Sequence, residues 1–508
     1  MKLSRSACTG AIVGAVLLSA CTDQAAAPSA EAFATPLLRS VESAPGFDRH
    51  LVVFRNQGGV PAGLEAAIAK AGGTVELLHP RLGFASVSGL TEAAATELGK
   101  RSGVLAVEPE PEFTVEPVGA DQPEAFEDVI SGPTDPQNAF FFPRQWHHRA
   151  IFANLAWAAG RLGSSNVKVA ILDTGLDPYS RELQGRVDFT LSRDFVGEAD
   201  TIAKYLGASS SLRRPTDPAP SALPAWLDLN FHGTHVGSTV ASNSFAVAGV
   251  TTQTTLVAVK VCSARGSCPS SAVLAGMLHA ADIGAEVANM SLGGGFNKRI
   301  LGRAGFPGFN ALINRTVNEV RRGGTLLVVS AGNEARDLDH DQDFYKTYCS
   351  SPTALCVSAT GPTAQVSVNG PWTNVDALAS YSNFGRSAID VAAPGGNVSA
   401  VWQLCSSFTM IWQVTGGFSV GRGDPALPAA GRFCPRTTVN SVSTVGTSGT
   451  SMASPHVAGL AALVAASGVT SPAQIKAALL QGADDLGEPG TDAAYGKGRI
   501  NVVRTLGL

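Results

Sequence analysis

The sequence predicts an α/β architecture in two parts: a doubly wound parallel sheet over residues 140–508, preceded by a small ferredoxin-like α+β domain over residues 48–116. Three observations carry this. Beyond residue 140, short and nearly continuous apolar runs alternate with helical patterns, as strands buried on both faces of a parallel sheet require. Before it, strand-like and helix-like segments follow one another in the order βαββαβ. Between the two, residues 117–139 carry Pro117, Pro123, Pro133 and Pro136 among acidic residues and read as an exposed linker.

In the small domain, His50–Arg55, Thr74–His79, Phe84–Ser88 and Val104–Glu108 read as strands, with Pro61–Ala71 and Thr91–Lys100 as helices. In the larger part the apolar runs are Val167–Leu172, Leu256–Val261, Val287–Met290, Leu326–Val329 and Ile389–Ala392. One helical stretch spaces Val273, Met277 and Ala281 four residues apart; another, Ala311–Arg322, stops at Gly323-Gly324. Near the end, Ser471-Pro472-Ala473-Gln474 predicts a helix start, with Ser471 as N-cap and Gln474 closing a capping box. The 508 residues, 44% hydrophobic and 15% charged, suit a globular protein with a sizeable core. A net charge of −4 and the lack of any basic run exclude nucleic acid as a partner.

The first twenty residues stand apart from the fold. Lys2 and Arg5 precede an apolar run, Ala11–Ala20, that is too short to span a bilayer as a mature helix and reads as an export signal. It ends Leu18-Ser19-Ala20-Cys21, which resembles the lipobox of bacterial lipoproteins. That resemblance implies cleavage before Cys21, acylation of Cys21 and, because Thr22 follows, the outer membrane; an ordinary secretory signal cut at a small residue is the alternative. Residues 21–47 then read as a flexible tether.

The chemistry begins at Asp173, at the carboxyl end of the Val167–Leu172 run, where open α/β sheets place their active sites. Phe231-His232-Gly233-Thr234-His235-Val236-Gly237 puts a histidine at the start of a small-residue helix. Ser448-Gly449-Thr450-Ser451-Met452-Ala453-Ser454-Pro455-His456 does the same for a serine. A serine hydroxyl is a weak nucleophile until an imidazole takes its proton, and that imidazole needs a carboxylate to fix its tautomer. The chain order Asp, His, Ser is one of the orders in which unrelated peptidases build that triad.

The segments AILDTGLD, HGTHVGSTVA and GTSMASPHVAG resemble, in order, the three signature segments of the subtilisin-like serine peptidases, the subtilase family. The resemblance implies a subtilisin-like fold, with Asp173 as orienting carboxylate, His232 as general base and acid, and Ser451 as nucleophile of an endopeptidase that requires no cofactor. VVSAGNEA is similar to the family's oxyanion-hole segment, which assigns Asn333 as a donor. Met290-Ser291-Leu292-Gly293-Gly294 is similar to an edge strand that pairs with the substrate backbone, so Ser291, Leu292 and Gly293 are expected to bind substrate. YSNFG and DVAAPG resemble its core and pocket framework. The 48–116 domain resembles the family's inhibitory propeptide, which implies a zymogen that cuts its own linker.

The remaining residues carry weaker signals. Six cysteines outside the signal region and Cys21, at 262, 268, 349, 356, 405 and 434, suggest disulfides between neighbours in an exported chain. Zinc is the alternative, but no histidine stands near them at finger-like spacing. His235 and His456 read as structural, His147 and His148 as surface or packing residues. Asp337, Asp339, Asp341 and Asp343 alternate in what reads as a solvated loop, since no EF-hand glycine and terminal Glu accompany them, with a structural Ca²⁺ as the alternative. Two insertions, residues 197–228 and 400–444, lengthen the approaches to His232 and Ser451. A non-catalytic binding module would be expected to have lost a triad or oxyanion residue; an esterase of the α/β-hydrolase type would need G-x-S-x-G and the order Ser, Asp, His.

Overall fold

The computed structural model describes residues 49–115, 119–120, 135–197, 222–292, 295–297, 307–341, 344–346, 348–349, 351–367, 369–397, 411–415 and 443–508. The signal, Cys21, the tether, Gly293, Asp343, Cys405, Cys434 and most of both insertions lie outside these residues.

The amino-terminal unit runs β1 (Arg49–Phe54), α1 (Leu64–Lys70), β2 (Thr74–His79), β3 (Phe84–Ser88), α2 (Glu92–Gly99) and β4 (Val104–Pro109). Its strands form an antiparallel sheet in the order β2-β3-β1-β4. The Thr91 hydroxyl caps α2 by accepting from the Ala94 N–H. Alternation along β1 splits its side chains between two cores: Val52 and Phe54 join Leu64, Ile68 and Leu98 inside the unit, while Leu51 and Val53 face the larger domain. Two short strands follow, β5 (Glu112–Thr114) and β6 (Gly119–Ala120).

The larger domain is ordered before the expected boundary at 140. Pro136, Ala139, Phe141 and Phe142 are buried, so the last residues of the expected linker pack as part of the domain. After α3 (Trp146–Ala150) and α4 (Ala153–Ala158), the sheet is built from β7 (Lys168–Asp173), β8 (Arg193–Asp194), β9 (Thr255–Lys260), β11 (Val287–Met290), β12 (Leu326–Ser330), β13 (Leu355–Thr360) and β14 (Val391–Pro394). These seven strands are parallel, in the order β14-β13-β12-β11-β7-β9-β8. A further strand, β10 (Ser267–Pro269), lies outside this sheet.

Along β7, Val169 and Ile171 face one core while Ala170 and Leu172 face the other. The first core holds α5 (His232–Val240), α8 (Thr450–Ala466) and α9 (Pro472–Gly482). The second holds α6 (Ser270–Asp282) and α7 (Pro307–Arg322), and Leu51, Val53, Leu82 and Phe84 of the amino-terminal unit pack into it as well. Burying each such aliphatic side chain contributes about 1.5–3 kcal/mol. Strand order reverses direction at β7, which makes the carboxyl end of β7 the switch point of the sheet.

Two expectations are corrected here. The Met290 segment is not an edge strand: β11 lies inside the sheet between β7 and β12, and Ser291 and Leu292 follow its carboxyl end. Nor does Ser471 make a side-chain cap on α9. The first turn of that helix is half-exposed at Ser471 and exposed at Gln474, so water can serve its amide groups, and Pro472 sets the backbone. Among the described residues no helix is long and apolar enough to cross a membrane.

Candidate active site

Asp173 ends β7 and His232 begins α5, both fully buried. The His232 Nδ1–H donates to Asp173 Oδ1 at 2.8 Å, and the same oxygen accepts from the Thr174 N–H at 2.7 Å. That bond puts the proton of neutral imidazole on Nδ1 and leaves the Nε2 lone pair as the base. Nε2 is buried and makes no hydrogen bond among the described residues. The close approach depends on glycine: a Cβ on Gly233 would lie 2.1 Å from the Gly175 carbonyl oxygen. Phe231, just before the histidine, holds φ at 129°, a strained value for a residue with a side chain. The buried Asp228 carboxylate stabilises that turn, accepting from the N–H groups of Asn230, Phe231 and Thr234 and from the hydroxyls of Thr174 and Thr234.

Ser451 lies in the first turn of α8, which packs beside α5. Its Oγ donates to the Ser291 carbonyl at 3.0 Å. Pro455 has no N–H to offer the Ser451 carbonyl four residues back; the Ser291 hydroxyl donates to that carbonyl instead, at 2.7 Å. Asn333 Oδ1 accepts from both the N–H and the hydroxyl of Thr450, each at 2.8 Å, which turns its Nδ2 amide toward Gly449. The loop carrying Asn333 is braced by Asn383, whose Oδ1 accepts from the Glu334 and Arg336 N–H groups and whose Nδ2 donates to the Ala331 carbonyl. Tyr381 donates to the Gly395 and Gly396 carbonyls, so the YSNFG and DVAAPG segments form one support. Burial pushes the Glu334 carboxyl, next to Asn333, up to about 7.

The amino-terminal unit reaches this site with its carboxyl end. β5 pairs antiparallel with β10, Phe113 opposite Cys268 and Thr114 opposite Ser267, and the Val115 N–H donates to the Gly266 carbonyl at 2.8 Å. Phe113 and Val115 are buried in the second core, the Phe113 ring 5.7 Å from that of Tyr348. β6 then pairs with β15 (Ser443–Ser448), Gly119 opposite Ser448, which leads directly into Ser451. Above this crossing, Glu108 accepts from the Gly308 and Phe309 N–H groups at the start of α7, and Glu110 accepts from the Ser271 N–H at the start of α6. Both carboxylates thus meet positive helix ends. Glu112 finds no such helix end; burial, reinforced by the charge of Glu110, pushes its carboxyl up to about 7.

A profile of the subtilase family matches residues 164–498. The chain belongs to the subtilase family. Its relatives include thermitase of Thermoactinomyces vulgaris, 29% identical over 374 residues that cover 73% of this chain and 99% of the relative. A thermophilic serine proteinase of a Bacillus species is 28% identical over 369 residues, 72% of this chain and 68% of that protein. Among solved structures, the epidermin leader peptide processing serine protease of Staphylococcus aureus superposes with a TM-score of 0.62 at 20% identity, covering 91% of this chain and 98% of that one. Fervidolysin of Fervidobacterium pennivorans, a keratinolytic enzyme, gives 0.60 at 20% identity over 91% of this chain and 61% of its own. The subtilase is thus a serine endopeptidase with a subtilisin-like fold.

In this subtilase the structure joins Asp173 to His232, and Ser451 to Ser291 and, through Thr450, to Asn333. Sequence reading missed three supporting elements. Asp228 closes what read as an insertion. Lys260, fully buried, donates to the Thr174 and Cys262 carbonyls beneath the Asp173 turn. β10, outside the main sheet, is the strand that pairs with β5 of the amino-terminal unit. Disulfides join Cys262 to Cys268 and Cys349 to Cys356, two of the three expected; the third falls outside the described residues. In the acidic loop, Asp337 accepts from the Asp339 N–H, Asp339 accepts from Ser387, and Asp341 pairs with Arg336, so protein donors engage these carboxylates. His147 and His148 are not at the surface: both are fully buried beside His456.

Proposed function

We propose that this endopeptidase works through Ser451, His232, Asp173 and Asn333, and that its first substrate is its own chain. Ser451 Oγ attacks the scissile carbonyl carbon as its proton passes to His232 Nε2. Asp173 holds the Nδ1–H and stabilises the imidazolium. Charge gathers on the carbonyl oxygen, where the Asn333 Nδ2 amide and the Ser451 N–H receive it. His232 returns the proton to the leaving amine as the C–N bond breaks. Water, giving its proton to His232, then cleaves the acyl-enzyme and Ser451 recovers its hydrogen. Substrate lies extended between β10 and the Ser291–Gly293 segment, extending the sheet edge as an added strand.

The observation that carries self-processing is the double anchoring of the chain around residues 115–119. One flank pairs with β10 and the other with β15 beside Ser451. The cut therefore falls between Val115 and Gly119, the 48–116 unit is the inhibitory propeptide, and the mature domain begins in the linker. The chain is exported and lipid-anchored at Cys21, and Cys405 pairs with Cys434; support for these comes from the signal pattern and the two neighbouring disulfides.

Intact-mass analysis of the full chain and of Ser451→Ala, expressed in a host lacking other exported proteases, tests the processing. The wild type separates into two chains with termini within residues 115–119, and Ser451→Ala stays whole. Processing of Ser451→Ala at the wild-type rate and position rules out self-cleavage. Cys21→Ser should lose both fatty-acid labelling and membrane partition.

A further inference from the structure

Away from the triad, three histidines from distant parts of the chain meet in the interior. His147 and His148 lie on α3, and His456 lies on α8, five residues beyond Ser451. All three are fully buried, and one nitrogen from each lies within 4.8 Å of the others.

Their hydrogen bonds assign the tautomers. His456 Nδ1 contacts the Met452 carbonyl at 2.8 Å, and His148 Nε2 contacts the Ala248 carbonyl at 2.8 Å. A carbonyl only accepts, so these two nitrogens carry the protons. His456 Nε2 is therefore a bare lone pair, and it accepts the Nδ1–H of His147 at 2.8 Å. What remains is a lone pair on His147 Nε2 and another on His148 Nδ1, both buried and both without a hydrogen-bond partner. Two buried acceptors left without donors beside a third ring can be satisfied by an electrophile.

We propose that His147, His148 and His456 form a structural binding site for a late first-row divalent metal, with Zn²⁺ as its natural probe. Three imidazoles plus one further oxygen ligand suit that ion. Ligand histidines characteristically donate their second ring N–H to a backbone carbonyl, which His148 and His456 already do. Tetrahedral zinc with bonds of about 2.0–2.1 Å holds its ligands roughly 3.3 Å apart. The 2.8 Å contact joins His147 Nδ1 to His456 Nε2, so an ion held by these two nitrogens and His148 Nδ1 requires the His147 proton to move from Nδ1 to Nε2, with adjustments of about an ångström on each ring from the present spread of up to 4.8 Å. A hydroxide in the fourth position would halve the charge brought into the interior. The ion would tie the start of the peptidase domain to the helix that bears Ser451.

The test uses the full-length Ser451→Ala chain, so that processing does not intervene, refolded with and without Zn²⁺. Metal analysis after gel filtration should find about one zinc per chain, with a raised melting temperature that EDTA present during refolding abolishes. Refolding with Co²⁺ should give the strong visible bands of a four-coordinate nitrogen site. His148→Leu and, separately, His147→Gln should remove the zinc and the cobalt bands. Retention of zinc by both variants, or a wild-type-like melting curve with no bound metal in any preparation, overturns the site. Should one variant fail to fold, the cobalt spectrum of the other decides.

Discussion

Glu108→Gln offers a quantitative test of how the amino-terminal unit holds the peptidase. The Glu108 carboxylate accepts two backbone N–H groups, from Gly308 at 2.9 Å and Phe309 at 3.0 Å, at the start of the sixteen-residue α7. Charge-assisted hydrogen bonds of this kind are worth about 1.5–3 kcal/mol net, and the helix end adds up to about 1 kcal/mol. Desolvation works against them, since burial raises the Glu108 carboxyl above its ordinary range. Glutamine keeps the shape and one acceptor but turns an NH₂ toward a backbone N–H. The net loss should be about 2 kcal/mol, or about a 30-fold weaker complex. Glu108 reaches α7 rather than the unit's own core, so the substitution leaves the folding of the isolated unit unchanged and the ratio reports the interface. The assay adds the 49–116 segment, wild type or Glu108→Gln, to mature peptidase and measures the inhibition constant on a fluorogenic peptide. A ratio below about threefold would refute the reasoning and assign the affinity to the apolar contacts of Leu51, Val53 and Phe84.

Three further outcomes follow from the same structure. Thr450→Val removes the hydroxyl that donates to Asn333 and accepts from Gly332, so kcat should fall about 10- to 100-fold with KM nearly unchanged, short of the full loss of an oxyanion donor. Gly233→Ala places a Cβ 2.1 Å from the Gly175 carbonyl oxygen; it should cost about 1–3 kcal/mol in thermal unfolding and lose activity beyond that, because the displaced turn carries Asp173. Glu112 has a carboxyl raised from 4.5 to about 7 in the docked state, so docking takes up a proton. The associated stability is present in acid and lost as pH rises through about 7; because Glu112 remains partly exposed, inhibition by the 49–116 segment should weaken only about tenfold between pH 5 and 8, and Glu112→Gln should flatten that dependence.

Much of this site was legible because its signals are local. Asp173 closes an apolar strand, and His232 and Ser451 each open a small-residue helix, so eight to eleven contiguous residues carry each component. Strand runs such as Val167–Leu172 and helices such as α7 announced themselves for the same reason. What escaped depends on contacts between remote residues. His147 meets His456 across 309 positions, and no pattern around Trp146 marks it as buried. Asp228 sits among Pro- and Ser-rich residues that read as loop, and its importance appears only when five donors converge on it. Met290–Gly294 reads as the substrate-pairing strand from its similarity to a family segment; β10 is only three residues long and shows no alternation, so its pairing with β5 could not be anticipated.

The pairings of β5 with β10 and of β6 with β15 bear on what dilution would do to this protein. While the chain is whole, β5 is tethered to β10 at an effective concentration of order millimolar that no change of volume can lower. On the proposed self-processing, one hydrolysed peptide bond would convert that intramolecular contact into an encounter between two molecules. Occupancy of the cleft then depends on how many copies share the compartment. On that reading a small compartment would keep the cut pair together, whereas a large volume would separate it, so the surrounding volume would set the moment of activation.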